Sequence, residues 1–438
     1  MAEKLGPWPQ LLDAPQGYRR VECTVVTGER VITVVARARG QFNVDYEARV
    51  DHEALRVTRV GRVRRAMKEA GLDAILVWKD ENQRYLINLR AQLIAGKTTA
   101  LNGALLIGDE EPILLCSGGE ADRIRETMPW ITEFHIVPIV EQRPLVEAFV
   151  SDILGPVLAR HGLTEGRLGM DEANMILVRA MEQRLSGLEL HECDSLMHSV
   201  RTIKLPEENV LLEEATAIAD AVTQTAMESV RAGRRECEVA GEAIRALYYL
   251  GGEYPHVMTP FVASGEHMSP PYRQCTDKII RNGDLVFIDI GAAWSGYFGD
   301  VARSTICGRP SRRQKEIYTA VYEALQAGIA LMRPGRTNIE VQDAMVAQAS
   351  TYDLGDRFLS LFIGHGIGAG ANEPPYVGET LPGARAYGFQ PGMVFAIEPL
   401  IWVPGVRGGG VRLEEMVLVT EGEAHVMSRA PFDERLFL

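Results

Sequence analysis

From residue 51 onward the hydrophobic pattern changes period repeatedly. In EALRVTRVGRVRRAMKEAGL (53–72) the apolar positions recur at helical spacing, placing Leu55, Val60, Val63 and Met67 on one face, and Gly71 follows as a stop. DAILVW (73–78) reads as a short buried strand, and NGALLI (102–107) and EPILLC (111–116) as two more joined by the turn GDEE. Helical stretches around 144–160 and 174–186 flank the strand-like RLGM. Strands and helices that alternate this way predict an α/β layer. The pattern breaks near SVRTIKLPEEN (199–209), where Pro206 and two acids open a helix running through about Val230. A second helix over about 236–250 ends at Gly-Gly, and everything after about 255 reads as strand-rich and punctuated by Gly and Pro. The first 50 residues stand apart: Pro7, Pro9, Pro15 and Gly17 precede CTVVTG, RVITVVARA and FNVDYEA, which have β-like content and read as a hairpin or an arm without assigned chemistry. The expected division is therefore 1–50, 51–200 and 201–438.

Composition narrows the class. With 438 residues, 46% hydrophobic and 24% charged, the chain has material for two domains and a substantial core. A net charge of −13 argues against nucleic acid and against an anionic membrane surface as partners. The six cysteines form no CxxC pair, so reduced thiols are expected rather than a disulfide framework. The start MAEKLGPWPQLLDAPQG has no apolar run of signal-peptide type, and no segment approaches the roughly 20 apolar residues of a membrane span, so the expectation is a cytoplasmic protein.

Five segments of the second half each offer a metal-capable side chain: LVFIDIGA (Asp289), GYFGDVARS (Asp300), FIGHGIG (His365), GMVFAIEP (Glu398) and GVRLEEMVLV (Glu414 or Glu415). Asp289 and Glu398 lie in apolar strand sequence, where an unpaired carboxylate costs several kcal/mol and needs a cationic partner. One such Asp is usually a hydrogen-bonded turn residue, and one such His is usually structural; five in separate apolar or glycine-rich frames point instead to a shared cation. Carboxylates with one imidazole suit Mn, Co, Fe or Zn, and four carboxylates carry enough charge to share two divalent ions.

These segments resemble the pita-bread family of methionine aminopeptidase, Xaa-Pro aminopeptidase, prolidase and creatinase. Its pattern is Asp, a second Asp eleven residues on, then His, Glu and Glu, which Asp289, Asp300, GHGIG around His365, IEP around Glu398 and RLEE around Glu414 match. The similarity covers about 200–438, and the unit at about 51–198 is similar, less specifically, to the creatinase-type N-terminal domain. The resemblance implies an α/β N-terminal domain on an α+β pita-bread catalytic domain, two divalent ions, and a homodimer. It maps the last ligand to Glu414, with Glu415 as a neighbouring acid. It makes Glu398 the general base and, with His365, part of the catalytic set. The expected activity is cleavage of a small polar substrate or dipeptide, Xaa-Pro peptidase-like, by a metal-bound hydroxide.

The chain departs from the peptidases at two positions. Their histidine seven residues after the glycine of an ASG turn is Tyr272 here, with His267 five residues early. Their histidine seven residues after the metal His is Asn372. An amide donates a hydrogen bond but does not shuttle a proton as imidazole does. His267, Tyr272, Arg273, Asn372 and Arg412 are the candidate substrate contacts, while Trp294 and Tyr297 read as hairpin packing and His256 as pocket or core. SPPYRQCTDKII (269–280) and APFDERL are also similar to dimethylsulfoniopropionate lyases, although FIDIG is the peptidase form of that stretch. The alternatives are accordingly such a lyase, an amidinohydrolase or amide hydrolase of creatinase or ectoine type, or a binding protein on the same fold.

Overall fold

A computed structural model describes residues 50–89, 102–137 apart from 117, 119 and 120, 142–253, 260–268, 274–358, 363–378, 383–403 and 409–438, together with the backbone of 21–27 and 30–36. The two early strands, β1 (Val21–Thr27) and β2 (Arg30–Ala36), pair antiparallel as their β-branched content predicts. FNVDYEA lies outside the described residues.

Helix α1 (His52–Ala70) begins at Asp51, whose carboxylate accepts the N–H groups of Glu53 and Ala54, and ends at Gly71 in the left-handed region (φ 67°). Its predicted stripe of Leu55, Val60, Val63 and Met67 is buried. There follow β3 (Ala74–Val77), α2 (Asp80–Ile87), β4 (Gly103–Ile107), β5 (Ile113–Cys116), α3 (Ala121–Thr127) and β6 (Phe134–Ile136). Helix α4 (Arg143–Phe149) continues through a π turn into α5 (Gly155–Arg160), and β7 (Gly166–Met170), α6 (Met175–Arg184), β8 (Leu188–Glu192) and α7 (Asp194–Thr202) complete the unit. The sheet order is β6-β5-β4-β3-β7-β8. Both faces are covered. Leu76, Leu105 and Leu115 pack toward Phe149, Leu158 and Met181, while Ile75, Leu106 and Leu114 pack toward Val63, Met67 and Tyr85. That double coverage is why the strands read as continuous apolar runs.

Helix α8 (Pro206–Ser229) opens on proline and the acids Glu207 and Glu208, and α9 (Glu236–Tyr249) packs beside it. Then come β9 (Phe261–Ser264), β10 (Leu285–Trp294) and β11 (Tyr297–Ile306), in sheet order β11-β10-β9. Gly299 lets α8 approach β11: a side chain there would meet the backbone of Ala215 and Thr216 at 2.6 Å. Two helices, α10 (Arg312–Ile329) and α11 (Asn338–Ser350), correct the strand-rich expectation for this half. Their signals were local. Ser311 with Gln314 and Thr337 with Glu340 form capping boxes, and Ile317, Val321, Ala324 and Leu325 recur at helical spacing. The Gly and Pro content of the surrounding loops obscures that spacing when the half is read as a whole.

The remaining strands are β12 (Gly364–Gly366), β13 (Glu373–Val377), β14 (Val394–Ile397), β15 (Leu400–Trp402), β16 (Gly410–Arg412), β17 (Glu415–Leu418) and β18 (His425–Val426). Five form a sheet ordered β13-β12-β14-β17-β18, and β15 pairs with β16. One core joins α8 and α9 to the sheets through Ile288, Val301, Ala396 and Met416; the other joins α10 and α11 through Leu285, Ile306, Phe395 and Val417. The sheets thus lie between two helix pairs and meet where the N–H of Glu414 donates to Ala302 O at 3.0 Å. Cys116, Cys193, Cys237, Cys275 and Cys307 are free thiols.

Candidate metal centre

Two sheets deliver the expected side chains. Asp289 and Asp300 occupy the two arms of the β10–β11 hairpin, whose turn residues Ser295 and Gly296 have φ of 50° and 77°, the positive pair that a tight hairpin turn needs. The register opposes Asp289 to Ala302 and Asp300 to Gly291. Side chains alternate faces with period two, so this spacing makes the two carboxylates diagonal neighbours on one face. His365 lies in the middle of β12, paired with Tyr376 and Ala396. Glu398 follows β14, held by its N–H to Ile363 O at 2.8 Å, and Glu414 stands just before β17.

All five side chains converge and are buried, none in a residue more than 7% exposed. His365 Nδ1 is 2.9 Å from the carbonyl oxygen of Gly366. A carbonyl only accepts, so Nδ1 carries the proton and Nε2 is left to act as an electron-pair donor. Nε2 lies 3.7 Å from Asp300 Oδ2 and 3.6 Å from Glu398 Oε1. One donor atom each from Asp300, His365 and Glu414 falls within 4.8 Å of the others, a spacing that can hold a metal ion. Arg412 Nη1 bridges 2.8 Å to Glu398 Oε2 and 3.0 Å to Asp289 Oδ2, with its guanidinium over the Phe287 ring.

The carboxylates are short of partners. Asp289 Oδ1, Asp300 Oδ1 and both oxygens of Glu414 are buried without a hydrogen bond among the described residues. Burial, then the neighbouring Glu414, Asp289 and Glu398, push Asp300 well above the usual carboxylate range. Burial, then Asp289 and Glu398, do the same to Glu414. Burial raises Asp289 as well, with Arg412 opposing it. Oxygen-rich, buried and under-satisfied, with one imidazole nitrogen, this donor set fits divalent cations.

The comparisons with known proteins point the same way. Residues 210–421 match the model of metallopeptidase family M24, and 59–203 match the creatinase/prolidase N-terminal domain. A Xaa-Pro dipeptidase of Pyrococcus furiosus is 34% identical over 256 residues, which are 58% of this chain and 70% of that protein. The chain belongs to metallopeptidase family M24. A Xaa-Pro dipeptidase of Pyrococcus horikoshii is 28% identical, over 83% of this chain and 94% of its own. A dipeptidase structure from the same organism superposes with a TM-score of 0.73 at 26% identity, covering 86% of this chain and 99% of that one. This M24 member is a metal-dependent, peptidase-like hydrolase with a creatinase-type N-terminal domain ahead of its catalytic domain.

Of the candidate substrate contacts, Tyr272 and Arg273 lie outside the described residues, as does His256. His267 is partly exposed beyond β9, and its Nδ1 is 3.1 Å from Glu236 Oε2. Glu236, fully buried, also accepts from the N–H and Oγ of Ser264 and of Thr276. Asn372 is exposed in the turn before β13 and makes no side-chain hydrogen bond among the described residues. Trp294 and Tyr297 are buried, and the Tyr297 hydroxyl donates to Glu208 at 2.7 Å while accepting from Arg59 Nη1 at 2.9 Å. Arg303 escaped the sequence reading. It is fully buried, donates to the backbone oxygens of Glu414 and Ala430, and pairs with Glu415 at 3.0 Å, so it braces the strand that carries Glu414. A lone arginine in the apolar run of β11 was the available signal.

Metal removal has a measurable consequence for this M24 site. A group whose folded pKa is raised keeps more protons folded than unfolded, so its contribution to stability falls as pH rises through that window. Asp289, Asp300 and Glu414 all lie on that side. Bound cations oppose the repulsion and stabilise by about 4 kcal/mol at a thousandfold excess over Kd. Chelator-stripped protein is therefore expected to unfold at lower temperature than loaded protein, with a gap that widens as pH is raised above about 4. Coincident melting curves across pH would remove the cation from the site.

Proposed function

We propose that the chain hydrolyses the bond before proline in short peptides, as a Xaa-Pro peptidase-like enzyme, with Asp289, Asp300, His365, Glu398 and Glu414 holding two divalent ions of the Mn, Co, Fe or Zn kind. The observation that carries this reading is the convergence of four carboxylates and one imidazole around buried oxygens that lack partners, in a chain whose relatives are named Xaa-Pro dipeptidases. When bound, such ions supply Lewis-acid polarisation of a carbonyl and lower the pKa of water.

The chain's own residues do the rest. Glu398 accepts the proton of the attacking water and returns it to the leaving amine, the general-base role its position beside His365 supports. Arg412 offsets the charge of Asp289 and Glu398 and orients both. His267, whose Nδ1 lies 3.1 Å from Glu236 Oε2, takes the proton-transfer role of the histidines that Tyr272 and Asn372 replace. Asn372 offers its amide to the substrate backbone. With this reading go a division at about residue 200, a cytoplasmic location and a homodimer, supported by analogy with the longer family members.

The test is a panel. Metal-loaded protein is incubated with Xaa-Pro dipeptides, dimethylsulfoniopropionate, creatine and ectoine, with products followed by mass spectrometry. Slow, chelator-sensitive release of proline is expected, and His267→Ala is expected to reduce it at least about tenfold, or roughly 1.4 kcal/mol of barrier. Turnover of dimethylsulfoniopropionate with every dipeptide intact would replace the peptidase reading with the lyase one.

A further inference from the structure

The turn Ile367–Asn372 joins β12, which carries His365, to β13, and ends in the exposed Asn372. Nothing bonds to the Asn372 side chain among the described residues, so its position is set by the backbone on either side. That backbone is held from outside its own sheet. Glu373, 3% exposed, receives Arg201 Nε at 3.0 Å, with Nη2 of the same arginine at 2.9 Å and Lys204 Nζ at 3.4 Å. Burial raises the Glu373 pKa, but Arg201 and Lys204 hold it below the usual carboxylate range. Arg201 ends α7 and also donates to Asn82 of α2, which in turn donates to Asp171 at 2.8 Å.

A second strap comes from α2 itself. Arg84 Nη1 donates to the Ala369 carbonyl at 2.7 Å, while its Nη2 is fixed by Asp80 at 2.6 Å and its guanidinium lies over Phe298. The turn wraps the Glu373 pair closely. A side chain at Gly370 would meet Glu373 Oε2 at 2.6 Å, and one at Gly368 would meet Lys204 Cε at 3.0 Å.

A buried ion pair adds little net stability over well-packed apolar residues. Stability alone is therefore a weak account of why one arginine of the N-terminal unit holds this turn at Ala369 and another holds Glu373 at its end. We propose that Arg84 and Arg201 are positioning residues for Asn372, so that the N-terminal unit of the same chain sets where the substrate-facing amide stands and thereby tunes substrate binding. The inference rests on the hydrolase reading and on Asn372 as a substrate contact. It goes further by assigning part of the site's geometry to a domain that contributes none of the five metal-capable side chains.

The test is a double-mutant cycle in the full-length, metal-loaded protein. Arg84→Met, Arg84→Lys, Asn372→Ala and Arg84→Met/Asn372→Ala are compared for KM and kcat on an Ala-Pro dipeptide, for metal content, and for hydrogen exchange over 366–373. Loss of a charge-assisted hydrogen bond predicts a roughly tenfold rise in KM for Arg84→Met, with kcat and metal content near wild type and faster exchange in the turn. Arg84→Lys, which still offers a donor to Ala369, should recover part of the loss. In the Asn372→Ala background the Arg84→Met effect should largely vanish, because both changes then remove the same contact. Additive effects on KM, or unchanged exchange in the turn, would overturn the proposal, since Arg84 would then act by packing alone. If the dipeptide is not turned over by wild type, the hydrolase reading fails instead. The cycle is then run on whichever panel compound reacts, with the same outcomes deciding.

Discussion

Asp300→Ala is expected to lower kcat about a thousandfold or more and to lose metal, while leaving the fold intact. Asp300 faces His365 Nε2 at 3.7 Å and shares the three-donor cluster with Glu414, so its removal takes an oxygen from the centre of the set. Lewis-acid stabilisation is worth several kcal/mol, and each 1.36 kcal/mol is a factor of ten in rate. The same change should have the opposite sign for stability without metal. Asp300 is buried among Glu414, Asp289 and Glu398, which push its carboxyl well above the usual range. Deleting it relieves that repulsion, so stripped Asp300→Ala should melt no lower than stripped wild type, even though loaded wild type melts above both. Elemental analysis and thermal unfolding, with and without chelator, read the two effects separately. A variant with full metal content and wild-type rate would remove Asp300 from the site, and a stripped variant that melts well below stripped wild type would mean its role is structural.

Glu398→Gln separates proton handling from metal holding. The amide keeps only one of the two oxygens, so it retains an acceptor toward either His365 Nε2, now 3.6 Å from Oε1, or Arg412 Nη1, now 2.8 Å from Oε2. It cannot take up a proton, and general-base help is typically worth about 10²–10⁴ in rate. The expected result is a loss of that size in kcat with at least one metal retained. Of the two carboxylates beside Arg412, Asp289 alone would then carry the opposing charge, so a modest weakening of metal affinity is expected as well. A rate within a few-fold of wild type would take Glu398 out of the chemistry and leave it as a charge partner of Arg412.

The amino-acid sequence by itself determined the local elements and the identity of the chemistry. The face of α1 and its stop at Gly71, the buried strands, and the proline-led start of α8 follow from periodicity and end signals that act over a few residues. Asp289 and Glu398 stood out because a carboxylate in an apolar strand has few tolerable explanations, whereas the choice of Glu414 over Glu415 came from the family resemblance. The eleven-residue spacing of Asp289 and Asp300 becomes a shared face as soon as the turn at Ser295–Gly296 is a tight one. Helices α10 and α11 were present in the same local signals, but the surrounding glycines and prolines concealed them. Other features required the tertiary structure. Nothing near Arg412 in the chain says that it will bridge Glu398 and Asp289, and nothing near Arg303 says that it will brace the strand of Glu414. Glu373 meets Arg201 across 172 residues, and Arg84 meets Ala369 across 285. The physical reason is the same in each case. Periodicity and capping are set by neighbours one or two turns away, whereas the partner of a buried charge is whatever opposite charge the packed layers bring beside it.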